Sequence, residues 1–146
     1  MLADQLKVLL SSVYAFAIKA QYFHWNVEGD NFPQYHEFFA NLYEEVNGSI
    51  DVIAEHIRTL DTYTPGSFTR FKELSIIEDQ TMVPRAELMM AELLSDNEKM
   101  LKLLNHCFEV AGQEKARGIE NYLAERIDAH SKHGWMLKSI LKKTRS

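Results

Sequence analysis

The chain has 146 residues, of which 46% are apolar and 25% are charged, so its length and composition suit a single domain, 1–146, with a substantial core. The net charge of −5 argues against a nucleic-acid binder that works by bulk attraction, and the single cysteine excludes an intrachain disulfide framework. The longest apolar run, residues 13–18, is far shorter than the roughly 20 residues that span a bilayer. Because no secretory signal is visible at the start, we expect a cytoplasmic protein without a membrane partner.

Apolar residues that recur at spacings of three and four predict long amphipathic helices. The first is predicted over residues 2–25, and a turn is predicted over residues 27–31. The second is predicted to begin after Asn31 and to continue through Gly48 to Leu60. Inside this second helix, Gly48 costs about 1 kcal/mol relative to alanine, so we expect it to permit close packing there.

The segment after the second helix, residues 61–82, lacks this periodicity. Thr64-Pro65-Gly66 indicates a turn, and Ser67 is predicted to cap a short helix that ends near Phe71. The connection to the next long helix is therefore long, and it carries a short helix of its own.

Two further long helices complete the pattern. Pro84 is predicted to open the third helix and Gly112 to end it, and the fourth carries apolar residues in register from Ile119 to Leu141. The tail over residues 142–146 is expected to fray. These elements predict an all-α protein, a four-helix bundle with a short extra helix between its second and third helices.

Several candidate metal sites fail on spacing. An intrachain di-iron bundle needs a Glu-x-x-His pair on each of two helices, and no glutamate in this chain has a histidine three residues later. His130 and His133 could bind a metal together, but no carboxylate joins them at a matching spacing, so we interpret them as structural. Cys107 is interpreted as a small core residue, because a lone cysteine on an apolar helix is usually one.

A better candidate combines four residues from the first two helices. His24 closes the first helix and His36 opens the second across a short turn, so the two can be neighbours. Asp51 and Glu55 lie four residues apart, which places both carboxylates on one helix face within an otherwise apolar stretch. Buried carboxylates are costly unless they are paired or bind a metal, and imidazole with carboxylate suits iron, manganese or zinc.

One chain cannot gather these four residues around one metal. His36 and Asp51 are 15 residues apart, which corresponds to about 22 Å of helix. If the second helix packs antiparallel on its copy across a two-fold axis, the carboxylates of one subunit meet the histidines of the other. From spacing alone, a shared metal site and a set of exposed polar residues remain open alternatives.

The residues that carry this pattern resemble the Dps family, the ferritin-like mini-ferritins of starved bacterial cells. The resemblance rests on the His24-Trp25-Asn26 core, on the Asp51-x-x-x-Glu55 pair, and on residues along nearly the whole chain. The further matching residues are Tyr22, Phe23, Val27, Gly29, Phe32, His36, Pro65-Gly66-Ser67 and His133-Gly134-Trp135-Met136-Leu137.

The resemblance implies a hollow shell of twelve four-helix subunits, built from two-fold dimers, that oxidises Fe²⁺ and stores Fe³⁺ mineral inside. Hydrogen peroxide is the oxidant that the family implies, so the activity limits oxidative stress. His24 and His36 match the family's two histidine ligands of non-haem iron on one subunit. Asp51 and Glu55 match the carboxylates of the partner, and Trp25 matches an aromatic residue beside the iron.

One position departs from the family pattern. The family normally has Asp four residues after the second histidine, and here that residue is Ala40. The second iron position therefore loses a carboxylate, which is expected to weaken the ferroxidase activity. Nearby Glu37 and Glu44 are the possible substitutes, although neither occupies the matching position.

DNA binding is the second property that the family implies, and we do not expect it here. Family members often bind DNA through a lysine-rich N-terminal tail, whereas the first helix of this chain is predicted to start almost at Met1. The basic residues near the C-terminus are Lys138, Lys142, Lys143 and Arg145, and they complement the negative end of the fourth helix. The alternative function is a metal-sequestering or DNA-protecting shell with little or no ferroxidase activity.

Overall fold

The computed structural model describes residues 1–143, and every regular element in that range is an α-helix. The helices are α1 (Leu2–Asn26), α2 (Phe32–Asn47), α3 (Ile50–Thr59), α4 (Phe68–Leu74), α5 (Ala86–Gln113) and α6 (Arg117–Leu141). The four long members of the bundle are α1, the pair α2–α3, α5 and α6, and the short α4 lies in the connection and packs on α1. The predicted four-helix bundle with an extra helix is confirmed.

The core is made by the apolar stripe of each helix. Helices α1 and α5 contribute the largest shares, and on α1 residues at spacings of three and four from Leu2 to Phe23 are buried. Phe16, Phe23 and Phe39 are the largest fully buried side chains, and they fill the space between α1 and its neighbours. This packing fixes α1 against α2, the two helices that carry the candidate histidines.

The second predicted helix is two helices, which corrects the expectation of a single one through Gly48. Gly48 and Ser49 keep helical backbone angles, but the Ser49 amide donates to the Val46 carbonyl, three residues back, at 3.1 Å. The buried Ser49 hydroxyl donates to the same carbonyl at 2.7 Å. Serine therefore tightens the turn locally, and α3 begins at Ile50, one residue before Asp51.

The short helix follows its predicted cap. The Ser67 hydroxyl accepts a hydrogen bond from the Arg70 amide at 3.2 Å, and α4 continues three residues beyond the predicted end at Phe71, to Leu74. On α5, Pro84 precedes the helix and lies two residues before its first residue, Ala86.

The end of α5 corrects the prediction that Gly112 stops it. Gly112 remains helical, and the turn is made by Lys115, whose φ is 58°. The Ala116 amide donates to the Ala111 carbonyl at 2.9 Å and the Lys115 amide to the Gly112 carbonyl at 3.1 Å, a Schellman-type ending. Lysine adopts the left-handed conformation that the sequence suggested for glycine.

Within residues 1–143, no helix is long and apolar enough to cross a membrane. Helix α6 ends at Leu141, and Lys142 and Lys143 after it are exposed. The rest of the predicted frayed tail, residues 144–146 with the basic Arg145, lies outside the described residues.

Candidate functional site

The two candidate histidines form a reciprocal pair across the turn between α1 and α2. The His24 Nδ1 lies 2.7 Å from the carbonyl oxygen of His36, and the His36 Nδ1 lies 2.7 Å from the carbonyl oxygen of His24. Their rings stack with centroids 4.0 Å apart and planes 20° from parallel. The sequence prediction that they are neighbours is confirmed by these distances.

This pairing fixes which nitrogen of each neutral ring carries the hydrogen. A carbonyl oxygen can only accept a hydrogen bond, so each Nδ1 must carry the hydrogen and donate it. In the neutral imidazoles the remaining lone pair is then on Nε2 of each ring, which is the nitrogen left for a metal. A backbone carbonyl that orients a ligating histidine in this manner is a common feature of metal sites in proteins.

The stacked geometry suits two neighbouring ions better than one shared ion. A ligated ion lies near the plane of its imidazole, about 2.1 Å from the nitrogen. Because the two planes are only 20° apart and the ring centres are 4.0 Å apart, one ion cannot lie close to both planes at that distance. This geometry therefore does not allow His24 and His36 to bind the same ion through both rings.

The carboxylates lie on the outer face of α3. Ile53 and Ile57 point into the core, and Asp51 and Glu55 are exposed one helical turn apart. The sequence argument assumed that both carboxylates are buried. That assumption is wrong for the single chain, in which both are exposed. Both carboxylates are instead free to contact a group outside the subunit.

Within residues 1–143, the chain does not bring three or more histidine, cysteine, aspartate or glutamate side chains together in a metal-binding group. The histidine pair and the carboxylate pair thus lie apart in the single chain, as the helix length between His36 and Asp51 requires, and each is one candidate half-site.

Trp25 and Ala40 are the neighbours of the histidine pair that bear on a metal site. The Trp25 side chain, next to His24, is 64% exposed, which is unusual for so large an apolar group. Ala40 lies one helical turn after His36 and is half-buried, while Glu37 and Glu44 on the same helix are exposed. No side chain that could ligate a metal stands at position 40.

The comparisons with known proteins show the family and the fold of this chain. The model of the ferritin-like domain family matches residues 3–146. A DNA protection during starvation protein from Bacillus anthracis is 32% identical over 84% of this chain and 84% of its own length. The chain belongs to the Dps family.

Solved Dps structures match the whole fold. Dps from Staphylococcus aureus superposes with a TM-score of 0.94 at 29% identity, covering 98% of this chain and 96% of that chain. A Dps protein from Vibrio cholerae, described as a member of the ferritin-like diiron-carboxylate superfamily, gives a TM-score of 0.93 at 28% identity. That match covers 97% of this chain and 89% of the other. The resemblance inferred from the His-Trp-Asn and Asp-x-x-x-Glu residues is thereby confirmed at the level of family and fold.

A second polar cluster lies inside this Dps bundle, and the sequence argument missed its composition. Arg126 binds Glu45 through two hydrogen bonds of 2.6 and 2.9 Å, and His133 Nε2 lies 2.7 Å from the same carboxylate. His133 therefore does have a carboxylate partner, supplied by α2 rather than by α6. These hydrogen bonds, from His133 first and then from Arg126, hold the pKa of Glu45 well below its usual range.

His130 is the most buried member of this cluster. Its Nδ1 lies 2.8 Å from Asn97 Oδ1, and the Asn97 amide donates to the His130 carbonyl at 2.9 Å. Burial, reinforced by the nearby His133 and Arg126, lowers the pKa of His130 to about 3, so the ring is neutral at physiological pH. The spacing of Arg126, His130 and His133 on one face of α6 was the available signal, and the contacts support their structural interpretation.

Another buried ion pair joins α1 to α5. The Lys19 ammonium lies 2.7 Å from Asp96 and 3.0 Å from Glu92, and Lys19 and Asp96 are almost fully buried. Burial raises the pKa of Asp96, and the hydrogen bond from Lys19 opposes that rise. The Lys19 ammonium already occupies the position between these two carboxylates that a metal ion would need.

Proposed function

We propose that this protein is an iron-storing mini-ferritin that oxidises Fe²⁺ at sites shared between two subunits of a hollow, twelve-subunit shell. The observation that carries the proposal is the division of the ligands into two half-sites on one chain. The His24 and His36 rings offer their Nε2 lone pairs, while Asp51 and Glu55 are exposed on α3 and form no salt bridge within residues 1–143.

The chemistry of the donors fits Fe²⁺ as the substrate. A first position would have His24 from one subunit with Asp51 and Glu55 from the other, which is one neutral imidazole and two carboxylates. Imidazole and carboxylate ligands suit iron, and the two negative charges offset those of the ion. A second position would have His36 with Glu55 shared between the ions, and Ala40 leaves it without a further carboxylate.

The exposed apolar surface supports a second copy of this chain as the partner. Ile18 and Trp25 are seven residues apart on one face of α1, and they are 46% and 64% exposed. Phe68 on α4 is 82% exposed, and it lines a groove together with Ile18 and the stacked rings of Tyr14 and Phe71. A monomer rarely leaves so many large apolar groups in water along one side.

Exposed apolar residues also lie next to the candidate ligands in the sequence. Trp25 directly follows His24 in α1, and Val52, which is 36% exposed, directly follows Asp51 in α3. An isologous contact made through this face would repeat every contact twice and would give two shared sites in each dimer. Burial of the face would also exclude bulk water from the ions and strengthen their electrostatic contacts.

The proposed reaction balances with hydrogen peroxide as the oxidant. Two ferrous ions lose one electron each, and one peroxide molecule takes both electrons and two protons to become two water molecules. The protein's residues hold the two ions next to each other so that one peroxide can react with both. The fixed Nε2 lone pairs need no rearrangement before the ions bind, which favours fast binding.

A metal-sequestering shell with slow oxidation is the second candidate function, and Ala40 is the observation that favours it. With one carboxylate fewer, the second position should bind Fe²⁺ more weakly, so a single ion would occupy many sites at low iron. A lone ion supplies one electron, whereas peroxide needs two. The rate would then follow the occupancy of the second position.

An anaerobic Fe²⁺ titration followed by addition of peroxide tests the proposal. We expect tight binding of one ion per subunit, weaker binding of a second, and rapid oxidation once peroxide is added. The double variant Asp51→Asn/Glu55→Gln should lose the Fe²⁺ binding and the rapid oxidation, because amides keep the shape of the side chains but remove their charge. Glu98→Gln, an exposed carboxylate on α5, is the matched control and should leave both unchanged. Wild-type oxidation no faster than that of the double variant would contradict the proposed function.

A further inference from the structure

Phe32 extends the stack of candidate ligands by a third ring. Its ring centre lies 5.0 Å from that of His36, with planes 26° apart, and the His36 ring centre lies 4.0 Å from that of His24. His36 therefore stacks against the other histidine and also against a phenylalanine. His24 has one such partner, His36.

The turn before α2 places Phe32 at this point. The Phe32 amide donates to the Gly29 carbonyl at 3.0 Å, and Gly29 has a φ of +115°, which a residue with a side chain rarely adopts. Pro33 follows in the first turn of the helix and restricts the backbone further. The backbone on both sides of Phe32 is thus held, which fixes the point from which its side chain extends toward His36.

Core packing does not account for this ring. Phe32 is 40% exposed and lies outside the hydrophobic core, unlike Phe39 on the same helix, which is fully buried. Its close ring contact is with the imidazole of His36. An exposed aromatic side chain that stacks on a candidate ligand can act on the orientation of that ligand.

We propose that Phe32 is a positioning residue for His36, the ligand of the second metal position. This inference rests on the proposed function. Rotation about the bond to an imidazole ring is soft, and a flipped ring would move Nε2 away from the metal position. The stack on Phe32 disfavours tilting of the imidazole out of its plane, and the hydrogen bond to the His24 carbonyl selects the orientation with Nδ1 on that side. Because Ala40 supplies no carboxylate there, the second position depends more heavily on the orientation of His36.

Two variants distinguish the effect of the aromatic stack from the effect of side-chain size. Phe32→Leu keeps an apolar side chain and removes the aromatic face, and Phe32→Tyr keeps the face and is the matched conservative control. The first readout is ¹⁵N magic-angle-spinning NMR of the histidine-labelled, metal-free assembly, with the His36 signals assigned from the His36→Gln spectrum. The second readout is calorimetric titration with Co²⁺, a divalent probe that air does not readily oxidise in such sites.

In the wild type and in Phe32→Tyr, we expect His24 and His36 each to carry the hydrogen on Nδ1. In Phe32→Leu, we expect a second signal set or an averaged signal for His36 alone. Co²⁺ affinity at the second position should fall about 3- to 10-fold in Phe32→Leu, as expected for the loss of one aromatic contact, while the first position changes less than 2-fold.

Unchanged His36 signals in Phe32→Leu, or equal losses of affinity at both positions, would overturn the positioning role. A wild-type His36 that carries its hydrogen on Nε2 would also overturn it, even if Phe32→Leu failed to fold. If the wild type binds no Co²⁺, the proposed function fails instead, and the NMR comparison of the metal-free proteins still decides whether Phe32 orients His36.

Discussion

Ala40 is the residue that stands where the resemblance leads us to expect an aspartate. It lies one helical turn after His36, half-buried, at the position where a ligand is expected from the resemblance. Asp at this position would extend toward the ion that His36 serves, because residues four apart share a helix face. The exposed Glu44 lies one further turn away on nearly the same face.

We therefore expect Ala40→Asp to tighten the second Fe²⁺ and to raise the rate of peroxide-driven oxidation. One added carboxylate at a metal site is worth on the order of a tenfold change in affinity, comparable to other single supporting groups. Stopped-flow absorbance and anaerobic calorimetry measure the two quantities. If two equally tight ions already bind the wild type, another residue supplies the ligand, and Glu44→Gln should then lose the second ion.

His130 makes the stability of the bundle depend on pH. Burial lowers its pKa in the folded state to about 3, whereas an unfolded histidine titrates near 6.5. Between these values the unfolded chain binds a proton that the folded chain excludes, so the free energy of unfolding falls as the pH falls below about 6.5. His133 and Arg126 lower the pKa of Glu45 in the folded state. Glu45 therefore adds a further loss of stability once the pH falls below the ordinary pKa of a glutamate.

The expected slope from His130 is at most about 1.4 kcal/mol per pH unit between pH 6.5 and pH 5. Urea unfolding at pH 7, 6 and 5, at one protomer concentration, measures it for the wild type and for His130→Gln. The variant should be less stable at pH 7 and should show a flatter dependence. His56→Gln is a useful comparison, because burial lowers the pKa of His56 as well. An equal slope in the wild type and in His130→Gln would show that His130 does not titrate as described.

At the scale of the helices, periodic apolar residues were enough to predict the four long members of the bundle, and the turn residues before Ser67 were enough to predict its cap. The sequence did not predict the division of the second helix at Gly48–Ser49. This division depends on a buried hydrogen bond from the Ser49 hydroxyl to the Val46 carbonyl. The sequence also did not predict the ending of α5 at Lys115, a residue that seldom adopts a positive φ. The Glu45–Arg126 pair joins two helices 81 residues apart in sequence, which no local spacing reveals.

Two glycines on the neighbouring helices α5 and α6 should respond in opposite ways to alanine. A Cβ at Gly134 would lie 3.1 Å from the Asn97 amide nitrogen, and that amide is held in place by its bonds to His130. A Cβ at Gly112 would lie 2.7 Å from a Glu120 carboxylate oxygen, which ends a flexible, partly exposed side chain.

Gly134→Ala should therefore destabilise the protein by about 1–3 kcal/mol despite a gain in helix propensity, because the buried Asn97 cannot move freely. Gly112→Ala should be neutral or should stabilise by up to about 1 kcal/mol, because Glu120 can rotate away. Chemical denaturation at fixed protein concentration compares both variants with the wild type. Equal effects would contradict the close approach at Gly134.

At the scale of the whole molecule, charge is the property that bears on DNA. Each subunit contributes a net charge of −5, so a closed assembly would repel phosphate at a distance. Relatives such as the Bacillus anthracis protein are named for DNA protection, but the described basic residues at the end of α6 are few, namely Lys138, Lys142 and Lys143.

We expect no retardation of duplex DNA in a gel near neutral pH at about 150 mM salt, because weak phosphate contacts are strongly screened there. A variant that lacks residues 142–146 should behave like the wild type. Retardation by the wild type that disappears in this truncated variant would assign DNA binding to the tail and reverse the expectation.

The proposed shared site would make the assembly indispensable to the chemistry, and mixed assemblies test this proposal most directly. One variant, His24→Ala/His36→Ala, keeps the carboxylates, and the other, Asp51→Ala/Glu55→Ala, keeps the histidines. Each alone should fail to oxidise Fe²⁺. In a two-fold dimer of the two, one interface site has lost all four ligands and the other has all four intact.

The decisive measurement is peroxide-driven Fe²⁺ oxidation after equal amounts of the two variants are unfolded and refolded together. Random pairing makes half of the dimers mixed, each with one of two sites intact, so about a quarter of the wild-type activity should return. The separately refolded variants, mixed afterwards, are the control and should remain inactive. Co-refolded assemblies that form normally but stay inactive would contradict a site built from the histidines of one subunit and the carboxylates of another.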